Sequence, residues 1–216
     1  MPDYSLSPCV TLVFGRPGSG KTSFCFRYLA NAAAEQSANP NPTACTFIFD
    51  WKLEAATRLG ITPCGTVAQC EAAIQTRWVV FNPGPMFQER QQAAFRWFLA
   101  WMFDVCKRGP GKKILYVDEL WNFADAMSLP AELEKVVRIG RVENLELLTS
   151  TQFPRDYHRS IRAAVTEWVC FSTDEPGDLD AVRPYFRGVD RVAGLPRGSF
   201  IAYNRDSRAE LAGKLF

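Results

Sequence analysis

The chain has 216 residues, of which 47% are hydrophobic, 22% charged and 13% aromatic. This length and composition fit one globular domain with a sizeable core, and they exclude an intrinsically disordered chain. A net charge of +2 is too small to indicate a nucleic-acid partner by itself, so the charge leaves the partner open.

A glycine-rich loop follows the first predicted strand, Val10 to Phe14. Its residues are Gly15, Arg16, Pro17, Gly18, Ser19 and Gly20, and they are followed by Lys21, Thr22 and a helix-forming segment from Ser23 to Gln36. A strand, the spacing Gly-x4-Gly-Lys-Thr and a helix, in this order, are typical of a Walker A phosphate-binding loop. In such a loop the backbone N–H groups face the phosphates, the lysine reaches the β- and γ-phosphates, and the threonine hydroxyl binds Mg²⁺. The pattern predicts that residues 15–23 bind ATP and that Thr22 is a Mg²⁺ ligand.

Short apolar strands alternate with helices along the rest of the chain. The predicted strands are Thr43 to Trp51, Trp78 to Phe81, Ile114 to Val117, Leu145 to Thr151 and Trp168 to Thr173. The predicted helices are Val67 to Thr76, Met86 to Cys106, Pro130 to Ile139, Tyr157 to Ala164 and Asp178 to Phe186. A terminal β-hairpin is predicted from Arg191 to Tyr203, with its turn at Pro196 to Gly198. We therefore expect a single α/β domain, residues 1–216, with a mainly parallel central sheet flanked by helices and a C-terminal hairpin.

Two strand ends carry candidate catalytic residues. The strand Ile114 to Val117 is followed by Asp118 and Glu119, about a hundred residues after the Walker A loop, which is typical of a Walker B strand. Asp118 is expected to hold Mg²⁺, and Glu119 to orient or deprotonate an attacking water, so hydrolysis is favoured over phosphoryl transfer to a metabolite. A later strand ends in Gln152, whose amide is either a γ-phosphate contact or an ordinary polar turn; both interpretations stay open.

Two basic turns are candidates for contacts with DNA phosphates. They consist of Lys107, Arg108, Lys112 and Lys113, and of Arg155, His158, Arg159 and Arg162. Charged turns are more often simply solvated, so this interpretation also stays open.

The cysteine pattern predicts the redox state of the chain, and the hydropathy pattern predicts whether it inserts into a membrane. The seven cysteines include no Cys-x-x-Cys pair and lie mostly in apolar contexts, so we expect reduced core residues. No signal peptide is visible at the N-terminus. The most hydrophobic long segment, 86–106, contains four charged residues, so we expect a buried helix and no stable insertion into a membrane.

Several of these segments together resemble the FtsK/HerA-type ATPases. Gly140 to Pro154 is similar to the segment of that superfamily in which a Gly-Arg pair leads into a strand that ends in Thr-Gln. Asp50 to Glu54 resembles its Asp-x-Lys-x-Glu strand end, and Leu195 to Gly198 its terminal hairpin. Asn144 stands where these proteins usually have glycine, but asparagine tolerates the same left-handed backbone. The resemblance spans most of the chain and implies a P-loop NTPase fold of the RecA/FtsK-HerA type.

The resemblance also implies roles, cofactors and partners. Arg141 would act as a finger on the nucleotide of a neighbouring subunit, Gln152 as the sensor, and Lys21 and Glu119 as the catalytic Walker residues, with ATP and Mg²⁺ as cofactors. Because only about ten residues precede the first strand, the chain looks like the genome-packaging ATPases of membrane-containing, double-jelly-roll DNA viruses and phages. We therefore expect a hexameric or pentameric ring that translocates double-stranded DNA. Its further partner would be a capsid vertex protein, and its location the host cytoplasm or the packaging vertex of the virion.

Three alternatives remain at this point. A filamentous-phage assembly (Zot-like) or conjugation-related ATPase core shares the same P-loop elements. A monomeric P-loop small-molecule kinase would need an arginine-rich lid. A nucleotide-gated binding module would leave Glu119 and Arg141 without a role.

Overall fold

The computed structural model describes residues 10–38, 45–109 and 111–216. The described residues form an α/β fold with a central, mostly parallel sheet flanked by helices, and with antiparallel strands at the C-terminal end, as predicted. They divide into two compact units. The first unit comprises the described residues of 32–118 and 130–147, and the second comprises 10–31, 119–129 and 148–216. Within the described ranges, no helix combines the length and apolar composition needed to cross a membrane.

Eight strands and eight α-helices form the described framework. The strands are β1 (Val10–Phe14), β2 (Cys45–Phe49), β3 (Trp78–Phe81), β4 (Lys113–Asp118), β5 (Leu145–Thr151), β6 (Val165–Phe171), β7 (Ser199–Asn204) and β8 (Glu210–Lys214). The helices are α1 (Lys21–Ala38), α2 (Glu54–Leu59), α3 (Val67–Ala73), α4 (Gly84–Phe87), α5 (Gln91–Cys106), α6 (Ala131–Ile139), α7 (Arg159–Ala164) and α8 (Pro176–Val182). Short 3₁₀ helices connect several of them.

In the first unit the strand order is β3-β2-β4, followed by the start of β5. Strand β2 runs parallel to both of its neighbours, with Phe47 opposite Val79 and Leu115. Helix α5 covers these strands with aromatic side chains: the ring centroids of Phe49 and Phe95 are 5.2 Å apart. Strands buried on both faces explain why the sequence shows continuous apolar runs here instead of an alternating pattern.

In the second unit the end of β5 is followed by the order β1-β6-β7-β8. Strands β1 and β6 are parallel, whereas β6, β7 and β8 pair antiparallel. The ring of Phe24, in the first turns of α1, lies 6.0 Å from that of Phe171 on β6 and 5.1 Å from that of Phe200 on β7. This aromatic cluster fixes the start of α1 against the sheet, and so it fixes the end of the loop that precedes α1.

The C-terminal hairpin differs in location from the prediction. Residues Arg187–Val192 form a 3₁₀ helix, and the hairpin consists of β7 and β8. Its turn follows Asn204, whose side-chain oxygen accepts hydrogen bonds from the backbone N–H groups of Asp206 and Ser207, both at 3.0 Å. An Asx turn of this kind closes a hairpin as well as a Pro-Gly sequence does. The Pro196 to Gly198 turn instead leads into β7.

The predicted long helix from Met86 to Cys106 is interrupted. Helix α4 ends at Phe87, Gln88 adopts a left-handed φ of 52°, and α5 begins at Gln91. The interruption turns the ring of Phe87 onto Trp97, with 5.7 Å between their centroids. The structure also contains α2, which the sequence pattern did not predict.

The cysteines agree with a reduced core. Six of the seven lie in the described part of the chain, where they are buried and form no disulfide. Burial raises the pKa of the Cys45 and Cys106 thiols to about 12. Cys9 lies outside the described residues.

Candidate functional site

The predicted phosphate-binding loop lies in the second unit, between β1 and α1. Three of its glycines have positive φ angles: 149° at Gly15, 68° at Gly18 and 119° at Gly20. Residues with side chains rarely adopt these angles, so the glycine positions are required by the backbone path. The Arg16 N–H donates to the Ser172 carbonyl at 2.9 Å, which ties the loop to the residue after β6. The loop therefore has the curled backbone that the Walker A pattern predicts.

Lys21 is the first residue of α1 and is 8% exposed. Its ammonium group donates to the carbonyl oxygens of Gly15 at 2.8 Å and Arg16 at 3.1 Å, so it lies folded over the loop's own backbone. A buried cation attracts an anionic ligand because transfer into the protein has removed most of its hydration. The positive end of the α1 dipole adds to this attraction.

Ser19, Thr22 and Ser23 supply the hydroxyl groups of this region. Ser19 is 3% exposed, and its Oγ is a buried atom without a hydrogen-bond partner among the described residues. Buried hydroxyls are nearly always hydrogen-bonded, so this one is suited to a ligand oxygen. Thr22 is half-buried and Ser23 exposed, both in the first turn of α1. The loop thus fits a nucleotide phosphate.

A pocket of about 390 Å³ opens beside the loop and is lined by residues 16–19 together with Ser172 and Arg197. The Arg197 Nε donates to the Gly18 carbonyl at 3.1 Å, and two arginines, Arg16 and Arg197, line the same pocket. In the sequence, Arg197 drew attention only as part of the segment that resembles the terminal hairpin of the FtsK/HerA-type ATPases. The one sequence feature that could have suggested a role at the phosphate-binding loop is that Arg197 is a basic residue next to a glycine, Gly198.

The β7 hairpin is tied to the loop through its backbone as well. The Gly198 N–H donates to the Ser19 carbonyl at 3.0 Å, and the Leu215 N–H donates to the Gly198 carbonyl at 2.9 Å. Arg27 of α1 donates to the Leu215 carbonyl at 3.1 Å. The residues that flank the two strands of the hairpin are therefore connected to the C-terminal part of the loop and to α1.

Glu119 lies in the second unit and is 9% exposed. Its backbone is left-handed, with φ 51° and ψ 52°. The indole N–H of Trp121 donates to its Oε2 at 2.7 Å, and the Gln152 amide donates to its Oε1 at 3.4 Å. The structure therefore brings the predicted base Glu119 together with the predicted sensor Gln152. Trp121 was not identified from the sequence, because a tryptophan two residues after an acidic pair has no distinctive pattern.

Asp118 ends β4 in the first unit. Its Oδ2 lies 2.9 Å from the Lys52 ammonium, and its carbonyl accepts a hydrogen bond from the Trp51 indole at 3.5 Å. No group of three or more acidic, histidine or cysteine side chains that suits a metal occurs within the described residues. Mg²⁺ bound with a nucleotide needs one or two carboxylates besides phosphate oxygens and water. The single carboxylate of Asp118 fits such an ion.

Asp50 begins the segment that supplies Lys52 and Trp51. Its two carboxylate oxygens accept the backbone N–H groups of Ala55 at 3.1 Å and Ala56 at 2.7 Å, which explains why α2 forms. Burial raises the pKa of Asp50, and the two backbone N–H groups counteract part of this rise. The side chain of Asp50 therefore caps the start of α2, and Lys52 reaches the carboxylate of Asp118.

Arg141 lies in the first unit, in the 3₁₀ helix Gly140–Glu143 that follows α6. It is exposed, and its neighbours Ile139 and Val142 are 43% and 79% exposed. Asn144 adopts φ 53° and ψ 35°, so the left-handed backbone predicted at this position is present. The finger candidate is thus on the surface, between two exposed aliphatic side chains.

Most charges of the two basic turns are compensated within the chain. Lys107, Arg108 and Lys112 face the carboxylates of Asp104, Glu71 and Glu146. Lys113 is buried against two carbonyl groups, and Arg155 pairs with Glu175 at 2.8 Å. Arg162 donates to the Arg155 carbonyl at 3.0 Å, and the His158 ring accepts the Ser160 N–H. The turns are therefore less positive than their sequence indicates, and their contact with DNA stays a prediction.

Comparison with known proteins identifies relatives by structure alone. No protein-family model and no curated protein matches the chain. The genome packaging NTPase B204 from Sulfolobus turreted icosahedral virus 2, in complex with AMP, is similar with a TM-score of 0.73 and 18% identity, over 97% of this chain and 98% of that one. VirB4 of Thermoanaerobacter pseudethanolicus has a TM-score of 0.64 and 11% identity, over 95% and 89% of the two chains.

A third solved structure is the N-terminal domain of zonular occludens toxin from Neisseria meningitidis. It has a TM-score of 0.54 and 14% identity, over 98% of this chain and 96% of that one. At these identities the likeness concerns the fold. The chain therefore has the P-loop NTPase fold of these three proteins, as its sequence motifs predict.

Proposed function

We propose that the chain is an ATPase that uses ATP hydrolysis to translocate double-stranded DNA, as a ring of identical subunits in viral genome packaging. The observation that carries the proposal is the buried Glu119 carboxylate. It follows the Asp118-bearing strand directly, in a chain that also has a curled Walker A loop. A phosphate-binding loop alone supports nucleotide binding, whereas a positioned carboxylate after β4 supports activation of water.

Residues 15–23 would bind the triphosphate of ATP. On binding, the Lys21 ammonium would exchange the carbonyls of Gly15 and Arg16 for β- and γ-phosphate oxygens, and the Ser19 hydroxyl would gain a partner. The complexes of B204 with AMP, AMPPCP and ATP-gammaS support a nucleotide ligand for this fold.

Thr22 and Asp118 would hold Mg²⁺, which neutralises charge on the phosphates and orients them. Glu119 would take a proton from the attacking water, next to the Gln152 amide. Arg141 of a neighbouring copy would stabilise charge in the transition state, an effect worth ~10³-fold or more in enzymes with such a finger. The exposed position of Arg141 supports this role.

Double-stranded DNA is proposed as the substrate because B204 is a genome packaging NTPase and a DNA-packaging ATPase of a virus. By the same analogy we propose a capsid vertex protein as a partner, and the host cytoplasm or the packaging vertex as the location. These assignments rest on analogy of fold.

The first test measures ATPase rate against protein concentration, with and without double-stranded DNA. A shared-site motor should show a rate per subunit that rises with protein concentration and with DNA. Glu119→Gln should abolish turnover and retain nucleotide binding. Glu134→Gln, which changes a half-buried glutamate paired with Arg138, should remain active. A rate that ignores both concentration and DNA would contradict the motor and favour a monomeric kinase or switch.

The second test mixes two inactive variants, Glu119→Gln and Arg141→Ala. If Arg141 acts on the next subunit, some interfaces of a mixed ring combine an intact Glu119 with an intact Arg141, and part of the activity returns. Arg138→Ala, which removes an exposed arginine of α6, is the matched control and should stay active alone. Absence of recovery in mixed rings of confirmed composition would contradict the trans role of Arg141.

A further inference from the structure

We infer that Trp121 is a positioning residue for hydrolysis: its indole N–H fixes Oε2 of Glu119, so that Oε1 is the oxygen that accepts the proton of the attacking water. The inference rests on the proposed ATPase function and assigns a role to a residue that the Walker motifs do not include.

The two oxygens of the Glu119 carboxylate are held unequally. Oε2 accepts the Trp121 indole N–H at 2.7 Å, a short distance that is typical of a donor on a charged acceptor. Oε1 accepts the Gln152 amide at 3.4 Å, close to the limit of a hydrogen bond. A water can therefore replace the contact at Oε1 at far lower cost than the one at Oε2.

The backbone of Glu119 is fixed independently of its side chain. Its N–H donates to the Ser150 carbonyl at 3.0 Å, and its carbonyl accepts both the backbone N–H and the side-chain amide of Asn122, at 3.0 and 2.8 Å. These bonds hold a non-glycine residue in the left-handed region, a strained conformation that persists only where the surroundings determine it. With the backbone fixed, the Trp121 bond leaves the carboxylate a single orientation.

The indole is chemically suited to this task. It is a donor only, so it neither competes with Glu119 for the proton nor protonates it. Its ring is rigid and half-buried, so little side-chain freedom is lost when the bond forms. In the hydrolytic step an O–H bond of water breaks and its proton moves to Oε1 of Glu119. The oxygen of that water bonds to the γ-phosphorus while the bond from this phosphorus to the ADP oxygen breaks.

The chain contains a matched control for this hydrogen bond. In the first unit, the Trp101 indole donates to Oε1 of Glu71 at 2.9 Å, and this tryptophan is also half-buried. It offers the same donor and the same acceptor type, but it belongs to no motif of the proposed site. Trp101→Phe and Trp121→Phe therefore remove equivalent bonds with different expected consequences.

The kinetic test compares these two variants with the wild type in single-turnover and steady-state ATP hydrolysis. Trp121→Phe should lower kcat about 10- to 100-fold, because a small displacement of a catalytic group costs up to about this factor. The KM for ATP and the Kd for a non-hydrolysable analogue should stay within about twofold. Trp101→Phe should retain the wild-type kcat. A purely structural role for Trp121 would instead change KM, Kd and thermal stability together.

The spectroscopic test follows the indole N–H resonances, assigned by triple-resonance NMR, in Glu119→Gln and Glu71→Gln. Glu119→Gln should shift the Trp121 resonance and leave that of Trp101 in place, and Glu71→Gln should do the reverse. An unmoved Trp121 resonance would overturn the inference even if Trp121→Phe failed to fold. A wild type without ATPase activity would refute the proposed function. An active wild type with an inactive Glu119→Gln and a fully active Trp121→Phe would refute only the inference.

Discussion

The phosphate-binding loop allows a sharp prediction about Gly15. Replacing Gly15 by alanine should lower the free energy of unfolding by about 4 kcal/mol. A Cβ at this position would lie 2.6 Å from the Cβ of Phe171 and 3.1 Å from its backbone carbon. Phe171 is fully buried and paired with β7, so it cannot move aside. Overpacking of this kind costs roughly 2 kcal/mol, and the Gly15 φ of 149° adds roughly 2 kcal/mol of backbone strain for alanine.

Gly18→Ala is the control within the same loop. Its φ is also positive, at 68°, but a Cβ there would meet no atom within 4 Å. Only the backbone strain of alanine at a positive φ applies here, so the free energy of unfolding should fall by about 1 kcal/mol. Urea denaturation without nucleotide, followed by circular dichroism and tryptophan fluorescence, measures both variants free of any binding contribution. Equal losses for the two variants, or a larger loss for Gly18→Ala, would refute the argument from the Phe171 contact.

Two further predictions concern Arg197 and Asp50. Arg197→Ala should weaken binding of a non-hydrolysable ATP analogue by about 1 kcal/mol, which is roughly fivefold in Kd. The reason is that the loop loses the hydrogen bond from Arg197 to Gly18 and the pocket loses a cation. An unchanged Kd in calorimetry would contradict this prediction. Burial raises the pKa of Asp50 above 3.8, so the native state keeps this proton to higher pH than the unfolded chain does. The contribution of Asp50 to stability therefore falls as pH rises from 3.8 through the native pKa. Asp50→Asn should remove this pH dependence. In urea titrations, the free energy of unfolding of the variant minus that of the wild type should therefore rise between pH 3.8 and neutrality. A difference that does not change with pH would show that Asp50 titrates as it does in the unfolded chain.

The sequence predicted those parts of the fold that depend on local patterns. Strands β3 and β5 have the predicted bounds, and β3 has them because a short apolar run is bounded on each side by polar or turn residues. The phosphate-binding loop could be predicted because its glycines, Lys21 and Thr22 follow each other in the chain. A site formed by residues that are close in the chain has a characteristic spacing, and this spacing is visible in the sequence.

Features that depend on side-chain direction were not predictable in this way. Helix α2 exists because both oxygens of Asp50 turn toward its first N–H groups, and the sequence does not fix that orientation. Trp121 reaches Glu119 only because the left-handed backbone of Glu119 turns the chain after β4. The hairpin was misplaced because Pro196 to Gly198 is a stronger turn signal than Asn204, although the Gly198 N–H is already bonded to the phosphate-binding loop.

The bonds between the β7 hairpin and the phosphate-binding loop have a thermodynamic consequence. The Ser19 and Gly18 carbonyls are held by Gly198 and Arg197, so the nucleotide would bind to a loop whose shape depends on where the hairpin lies. Linkage is reciprocal: any molecule that shifts the hairpin changes the affinity of the loop for its ligand, and that ligand changes the affinity of the hairpin for the molecule by the same factor. A molecule that contacts the hairpin would in this way respond to whether the loop holds its ligand.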